Sequence, residues 1–150
     1  MKKMHDFFMD KCIHLGEEAK RKGDPAVGAL VVLNNVIVGI GMEATKSAND
    51  ITKHAEIEAI KNALEHIAVG NLSKCDLYTT HEPCIMCAYV IRHYKIRTII
   101  YGMKVGEKGS INSKLKVMTK KDIRSWGTPP KIIHGILEDK CIALSALEKK

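Results

Sequence analysis

Aromatic residues and long apolar runs are both scarce in this chain. Phe, Tyr and Trp make up 5% of the 150 residues, which leaves few rings that could stack on a flat ligand. No apolar run approaches the roughly 20 residues that a membrane span needs, so no membrane partner is expected. Apolar residues nevertheless reach 45%, which excludes an intrinsically disordered chain. The length of the chain predicts one domain over residues 1–150.

Cysteine is present, but not in the number or spacing of a disulfide framework. The five cysteines are an odd number, and only two residues separate Cys84 from Cys87. The opening residues mix charged and apolar side chains and lack the form of a secretion signal. We therefore expect a protein of the reducing cytoplasm, where disulfides are rare.

Basic residues outnumber acidic ones. The chain has 24 Lys and Arg against 17 Asp and Glu, a formal net charge of +7. The stretch 92–131 in the C-terminal half holds 11 basic and 2 acidic residues, and 11 minus 2 gives a local charge of +9. Such a stretch can attract RNA or an anionic nucleotide, and it is also the ordinary composition of a solvated surface. RNA is therefore one candidate partner of this basic C-terminal half.

The hydrophobic periodicity changes from helix to strand early in the chain. Apolar residues recur every three or four positions at the start, which predicts an amphipathic helix ending near Gly23. Two β-branched runs follow, at 26–33 and 36–42. The intervening Asn34 and Asn35 tolerate a left-handed backbone, so these runs are predicted to form an antiparallel hairpin.

The remainder of the chain continues the alternation. Further helices are predicted over 54–67, 83–93 and 138–149, and further strands over 76–79, 97–101 and 132–136. The glycine-containing segment 102–130 is predicted to be mixed, with some helix within 111–118. Helices and strands that alternate without a repeat predict a layered α/β sandwich.

Two short clusters carry the chemistry, and each lies where a helix is predicted to begin. His54 offers an imidazole nitrogen, and Cys84 and Cys87 offer two thiolates one helical turn apart. Zn²⁺ accepts this mixed set, and three protein ligands leave a fourth position for water. Bound zinc lowers the pKa of such a water from about 16 to near 7. Glu56, two residues after His54, has the spacing of a catalytic general acid and base.

A second class of protein is compatible with the same cysteines. Cys12, Cys75 or Cys141 could supply a fourth ligand and close the zinc site, as in a non-catalytic structural zinc module that mediates interactions. Glu56 would have no role in such a module. Its presence therefore favours the catalytic interpretation.

A His, a Glu two residues later, and a subsequent Pro with paired Cys residues form the signature of zinc deaminases. On these residues the chain resembles the cytidine/deoxycytidylate deaminase superfamily, on the branch of guanine deaminase, cytosine deaminase and tRNA adenosine deaminase. The resemblance extends over nearly the whole chain. The segments that carry it are Val27–Ala29, His54–Glu56, Glu82–Cys87 and Gly135–Leu137, followed by Cys141.

This resemblance implies a fold, an activity, a cofactor and an assembly. The fold is a three-layer α/β/α sandwich with a mixed five-stranded sheet. The activity is that of a hydrolase acting on C–N bonds of cyclic amidines, which converts an amino-substituted nucleobase, nucleoside or similar small heterocycle to the oxo product and releases ammonia. The cofactor is Zn²⁺, and a homodimer is expected.

The resemblance also implies how the substrate is held, and here the sequence departs from the family pattern. Backbone groups near Ala55 and His81 are expected to hold the ring. Relatives commonly carry an Asn eleven positions before the zinc His, where this chain has Glu43. An ionised carboxylate only accepts hydrogen bonds, so a substrate-binding Glu43 favours a ring edge rich in N–H groups, as in guanine or an aminotriazine. The alternative is that Glu43 faces solvent.

The alternative function is tRNA-specific adenosine deamination, from A to I. The basic stretch favours this alternative, because Lys and Arg supply most nonspecific affinity for nucleic acids. The larger residues Tyr89 and Val90 after the second Cys, and a last helix without a strongly basic tail, argue against it. The identity of the base, and whether it is free or within RNA, stays open at this point.

Overall fold

A mixed sheet lies at the centre of the structure, a computed structural model that describes residues 1–68 and 70–146. The strands are β1 (Gly28–Leu33), β2 (Val36–Met42), β3 (Asp76–His81), β4 (Thr98–Met103) and β5 (Lys131–Ile133). Within the described residues they form one five-stranded sheet in the order β2-β1-β3-β4-β5. β1 runs antiparallel to both of its neighbours, whereas β3, β4 and β5 are parallel.

Helices cover both faces of this sheet. They are α1 (Lys2–Arg21), α2 (Ala55–Leu64), α3 (Ile85–His93) and α4 (Glu138–Ala146). Alternate strand residues point to opposite faces: Val31 and Leu77 join the core with α2 and α3, whereas Leu30 and Tyr78 join the core with α1 and α4. The predicted three-layer α/β/α sandwich with a mixed five-stranded sheet is confirmed. None of these helices, within the described ranges, is both long and apolar enough to cross a membrane.

The hairpin of β1 and β2 turns at the predicted asparagines. Asn34 and Asn35 have φ angles of 50° and 63°, the left-handed backbone that a two-residue hairpin turn requires at both central positions. Leu33 pairs with Val36 directly beside this turn. The pairing shifts between Val31 and Val32, so the hairpin contains one irregularity that the sequence pattern did not indicate.

Several element boundaries differ from the predicted ones. Pro83 lies before α3 and not in its first turn, because Cys84 has an extended backbone and is the N-cap residue. β3 and β4 each continue two residues further than predicted, since both remain paired up to His81 and Met103. β5 ends at Ile133, and α2 ends at Leu64. The last predicted helical residues, 147–149, lie outside the described part of the chain.

The helix predicted for part of 111–118 is shorter than its range suggests. The described helical residues there are two of a short 3-10 helix, Val117–Thr119, and a second 3-10 helix covers Arg124–Trp126. Arg92 holds this region, because its buried guanidinium donates to the carbonyls of Met118 at 2.8 Å and Gly127 at 3.3 Å. The guanidinium also lies 5.0 Å from the centre of the Trp126 ring. These long-range contacts, and not local periodicity, determine the conformation of the segment.

The loop between β2 and α2 is attached to the core by one buried carboxylate. Asp24 is 5% exposed, and it accepts hydrogen bonds from the backbone N–H groups of Lys46 at 2.9 Å and Ser47 at 2.8 Å. The Ser47 hydroxyl donates to the other carboxylate oxygen of Asp24 at 2.6 Å. Burial alone would raise the pKa of Asp24, but these hydrogen bonds outweigh burial and lower it. The loop that leads to His54 therefore has a fixed anchor.

We expect Asp24→Ala to lower the free energy of unfolding by about 1–3 kcal/mol, because two backbone N–H groups lose their acceptor. Asp24→Asn should cost less, since one oxygen remains to accept both of these bonds. A carboxyl whose pKa is lowered by folding stabilises the protein above its unfolded pKa, near 4, and this contribution is lost as the pH falls through the folded pKa. Denaturant unfolding at pH 7 and pH 3 measures both effects. The difference in unfolding free energy between the unaltered protein and Asp24→Ala should be smaller at pH 3, and an equal difference at the two pH values would contradict the assignment.

Candidate active site

Strand order brings the starts of α2 and α3 together at one edge of the sheet. β1 is antiparallel to β2 and β3, so its first residue, Gly28, pairs with Met42 at the end of β2. The backbone N–H of Gly28 also meets the Thr80 hydroxyl near the end of β3, at 3.4 Å. α2 follows the loop after β2, and α3 follows β3 directly. His54 and Cys84 are the N-cap residues of these two helices.

Helix α2 packs against β2 at unusually short distance. A Cβ atom at Gly41 would lie 2.1 Å from the carbonyl oxygen of Ala55, and one at Gly39 would lie 2.3 Å from that of Ala59. Any side chain at these two positions would push the helix away from the sheet. The two glycines therefore allow α2, which begins directly after His54, to lie close to β2.

Three candidate ligand atoms converge between the helix starts. Nδ1 of His54 lies 3.5 Å from Sγ of Cys84 and 3.4 Å from Sγ of Cys87, and all three atoms lie within 4.8 Å of one another. Zinc at about 2.3 Å from sulfur and 2.0–2.1 Å from nitrogen, with tetrahedral angles, requires N to S separations of about 3.6 Å. The observed separations fit this geometry, and a zinc ion held by these three residues would have one coordination position left for a further ligand.

The electrostatics of these three groups also favour a cation. The hydrogen bond with Cys87 lowers the pKa of Cys84 to about 4, and the hydrogen bond with Cys84 raises the pKa of His54 to about 9. The pKa of Cys87 is instead raised, first by its hydrogen bond with Cys84 and then by burial. One thiolate is thus stable beside the imidazole, whereas a second adjacent thiolate is repelled. A divalent cation removes this repulsion, because metal ligands bind in their deprotonated form.

Glu56 lies in the first turn of α2, beside the three ligand atoms. Its side chain is 4% exposed. Burial raises the pKa of its carboxyl to about 7, and the negative charge of Cys84 adds to this shift. A carboxyl with a pKa near neutrality can both accept and release a proton under physiological conditions.

The three predicted substrate contacts all lie around this cluster. Glu43 follows β2 and is 9% exposed. The Thr45 hydroxyl donates to its carboxylate at 2.8 Å, and its charge acts on His54, Glu56 and Cys87. The interpretation in which Glu43 faces solvent is therefore wrong.

Ala55 directly follows His54, and His81 lies three positions before Cys84 in the chain. Ala55 is fully buried and begins α2, where backbone N–H groups have no partner within the helix. His81 is the last residue of β3, and burial lowers the pKa of its imidazole to about 4. Its Nδ1 lies 2.7 Å from the Thr80 hydroxyl. The end of β3 thus carries an uncharged imidazole with one ring nitrogen in a hydrogen bond.

The other cysteines lie elsewhere. Cys12 and Cys141 belong to the core with α1 and α4, and Cys75 is buried near the start of β3. All five cysteines fall within the described residues and are free thiols, and the described metal-binding group contains His54, Cys84 and Cys87 alone. The structure therefore provides no fourth cysteine ligand from the described residues, as a closed structural zinc module would require.

Two buried charged residues near the site were missed by the sequence reasoning. Glu82 is 2% exposed and accepts hydrogen bonds from the loop after β4, and Asp24 holds the loop before α2. Most of their partners are backbone N–H groups, which every residue but proline carries, so pairing of residue types in the sequence does not indicate them. The only available signal was a Glu directly before the Pro-Cys pair.

The sequence of the chain matches a family of zinc-dependent deaminases. The cytidine and deoxycytidylate deaminase zinc-binding region matches residues 2–103, which include the His54 and Cys84 clusters and well over half of the chain. The chain belongs to this family. The predictions of a zinc-dependent hydrolytic deaminase, acting on C–N bonds with Zn²⁺ as its cofactor, are confirmed.

Individual relatives of this deaminase extend the similarity beyond the matched region. The tRNA-specific adenosine deaminase 2 of Xenopus laevis is 34% identical over 143 residues, which cover 91% of this chain and 81% of that protein. A solved structure from studies of A-to-I editing by tRNA:A34 deaminases has a TM-score of 0.85 and 28% identity, and covers 92% of this chain and 98% of that one. The guanine deaminase of Bacillus subtilis has a TM-score of 0.64 and 31% identity, over 67% of this chain and 64% of that one.

Replacing one sulfur ligand should remove metal and stability together. We expect Cys87→Ala to purify with a small fraction of the zinc of the unaltered deaminase. It should also lose the stabilisation that binding supplies, about 3–4 kcal/mol when free zinc exceeds its dissociation constant by 100- to 1,000-fold. Cys75→Ala is the matched control, because Cys75 is also buried but lies outside the metal-binding group. Zinc content and thermal unfolding with and without chelator measure the outcome, and full zinc occupancy in Cys87→Ala would contradict the ligand assignment.

Proposed function

We propose that this deaminase hydrolyses the amino group of adenosine in tRNA and forms inosine. The observation that carries the proposal is the similarity, over more than nine-tenths of the chain, to a tRNA-specific adenosine deaminase. The similarity to the tRNA:A34 deaminase structure, at 98% coverage of that chain, supports the same substrate. Water adds to the amino-bearing ring carbon, the C–N bond breaks, and ammonia leaves.

His54, Cys84 and Cys87 hold the zinc ion in this proposal. When bound, zinc supplies the acidity that makes a water molecule nucleophilic at neutral pH. The Glu56 carboxylate takes a proton from that water and later delivers it to the leaving nitrogen, so the same oxygen atoms serve first as base and then as acid. Burial of Glu56 restricts this exchange to the reacting groups, because bulk water has little access to the carboxyl.

The substrate ring is held in our proposal by groups at the two ends of the site. Backbone N–H groups at the start of α2, beginning with Ala55, donate to ring acceptors. His81, at the end of β3, presents an uncharged imidazole, since burial lowers its pKa to about 4. Glu43 lies at the end of β2, where its carboxylate interacts electrostatically with Glu56, and in this proposal it does not contact the adenine ring.

Lysines beside the site provide a surface for the phosphates of RNA. The segment after β4 carries exposed Lys104, Lys108, Lys114 and Lys116. Lys108 and Lys114 line one surface groove on this segment. The backbone of the same segment pairs with that of Cys84 at Gly109. Positive charge this close to the metal cluster would attract the backbone of a nucleic acid whose base enters the site. Two other basic residues of the stretch, Arg92 and Arg97, are engaged with protein groups.

Glu56→Gln should retain zinc and fold but lose ammonia release from tRNA by about 10²- to 10⁴-fold, because the amide cannot accept a proton. Glu58→Gln is the matched control, since Glu58 lies on the same helix and pairs with Lys61 at 3.6 Å. The assay measures ammonia and inosine from a tRNA pool, adenosine, guanine, cytosine and 2,6-diaminopurine. Turnover of a free base without turnover of tRNA would contradict the proposed substrate, and unchanged activity of Glu56→Gln would contradict the mechanism.

A second candidate substrate is a free guanine-like base. The observation that favours it is Glu43, a buried acceptor-only group beside Glu56, which suits a ring edge with two N–H donors. The similarity to a guanine deaminase at 31% identity is compatible with this candidate. Adenine presents an acceptor nitrogen on the equivalent edge, so a carboxylate there would repel it.

Exchanging Glu43 separates the two candidates. If Glu43 contacts the base, Glu43→Asn should shift the ratio of guanine to adenosine turnover towards adenosine by about ten- to hundredfold, because the amide can donate as well as accept. Asp50→Asn in the same loop is the control, since Asp50 is only partly buried and bonds locally to Thr52. The ratio of kcat/KM values for the two substrates is the measurement. An unchanged ratio would show that Glu43 does not contact the substrate.

We also propose that the protein is a homodimer and that it works in the cytoplasm. Support for the dimer comes from α3, whose exposed face carries Ile85 and Tyr89, 39% and 59% exposed. Analytical ultracentrifugation should give a dimer that Tyr89→Lys converts to monomers, whereas Ile142→Lys on α4 leaves it intact. A monomeric unaltered protein would contradict the dimer.

The proposed cytoplasmic location is supported by the five free thiols, which suit a reducing compartment. Fractionation of the source cells would test it.

A further inference from the structure

Glu82 is a buried carboxylate to which the catalytic scheme assigns no role. It is 2% exposed and stands two residues before Cys84. Four N–H groups donate to its two oxygens. Oε1 accepts from the backbone of Val105 at 3.2 Å and from the Asn112 side chain at 3.1 Å, and Oε2 accepts from the backbones of Ile111 at 2.9 Å and Asn112 at 2.8 Å. The carboxylate therefore holds both ends of the segment 105–112.

The middle of that segment is bonded to the turn that carries the first cysteine ligand. The backbone N–H of Ile85 donates to the carbonyl of Lys108 at 3.1 Å. Ser110 donates twice to the carbonyl of Pro83, from its backbone at 3.0 Å and from its hydroxyl at 2.6 Å. Gly109 pairs with Cys84 in an isolated antiparallel bridge. The two chain neighbours of Cys84, Pro83 and Ile85, are thus both hydrogen-bonded to segment 105–112.

Gly109 also contacts Glu82 itself. A Cβ atom at Gly109 would lie 2.5 Å from Oε2 of Glu82 and 2.8 Å from its carboxyl carbon. The carboxylate, the loop backbone and the Cys84 turn are therefore packed as one unit.

We propose that Glu82 is a positioning residue of the metal centre. By holding segment 105–112 against the Pro83–Ile85 turn, it keeps the Cys84 sulfur at the separation from His54 that zinc requires, and so slows the loss of the metal. The inference rests on the proposed assignment of Cys84 as a zinc ligand, but on no assumption about the substrate. Groups that orient metal ligands from outside the coordination sphere typically change metal affinity by about 10- to 100-fold when they are replaced.

Glu82→Gln tests the carboxylate with almost no change of shape. Each oxygen of Glu82 accepts two N–H bonds, so in either orientation the amide nitrogen of Gln meets two donors and cannot accept from them. One end of segment 105–112 must therefore be released. Glu107→Gln is the matched control, because it makes the same substitution on the same segment at an exposed position.

Gly109→Ala tests the same contact from the loop, with Glu82 unchanged. The added methyl group must displace the carboxylate or the loop backbone. Gly106→Ala is its control, since a Cβ atom at Gly106 meets nothing within 4 Å. This pair of variants also decides the question if Glu82→Gln fails to fold.

The experiment measures zinc transfer from the loaded full-length protein to a chromogenic chelator. We expect transfer about tenfold faster or more from Glu82→Gln, and faster in the same direction from Gly109→Ala, with both controls at the rate of the unaltered protein. The cobalt-substituted Glu82→Gln protein should also show displaced visible absorption bands, since these bands report the ligand geometry.

Unchanged zinc transfer from both variants overturns the proposal, even if Glu82→Gln lowers the unfolding temperature of the chelator-treated protein, because Glu82 would then only stabilise the fold. Fast transfer from Glu82→Gln with unchanged transfer from Gly109→Ala also overturns it, since the effect would not pass through segment 105–112. No deamination is measured, so an error in the proposed substrate cannot imitate either result. Stoichiometric zinc in Cys87→Ala is the separate result that contradicts the ligand set itself.

Discussion

The contact of α2 with β2 is the constraint on which the site depends. Zinc chemistry requires three ligand atoms to lie within a few ångströms, although His54 and Cys84 are 30 positions apart in the chain. Helix α2, which follows His54, lies close against β2. Gly39 and Gly41 allow this approach, because the carbonyl oxygens of α2 occupy the space of the missing side chains. The packing of α2 on β2 therefore also positions the metal ligand that precedes this helix.

The loops around the site are held by buried charges paired with backbone groups and not with opposite charges. Asp24 and Glu82 accept from backbone N–H groups, and Arg92 donates to backbone carbonyls. A buried polar group is costly when it is unpaired and inexpensive when it is fully bonded. One charged side chain can hydrogen-bond several backbone groups of an irregular segment, whose N–H and C=O groups are not paired within a helix or a sheet. Irregular backbone can thus be kept in a fixed conformation next to a metal centre.

The limits of prediction from the sequence follow from the range of the interactions involved. The hairpin at Asn34 and Asn35 was predictable because the turn is decided by the two residues themselves. The metal-binding clusters were recognisable because their ligands are side chains of specific types at fixed spacing. Segment 102–130 was not predictable, since Arg92 and Glu82 determine its path from a distance through contacts with backbone atoms. β3 and β4 extend beyond their predicted ends for a similar reason, because the pairing of each strand with the other continues to His81 and Met103.

The separate anchoring of the two site loops has a consequence for how such a protein diverges. The loop before α2 is fixed through Asp24, and the segment after β4 is fixed through Glu82, so neither depends on the other for its conformation. Their outer residues, such as Ile51 at 75% and Leu115 at 46% exposure, take no part in either anchor. Mutations there can accumulate without disturbing either anchor, so the tips of these loops can vary in sequence while the metal ligands keep their positions. These two loops can therefore differ widely between proteins that share the same metal site, provided that both anchoring acids are kept.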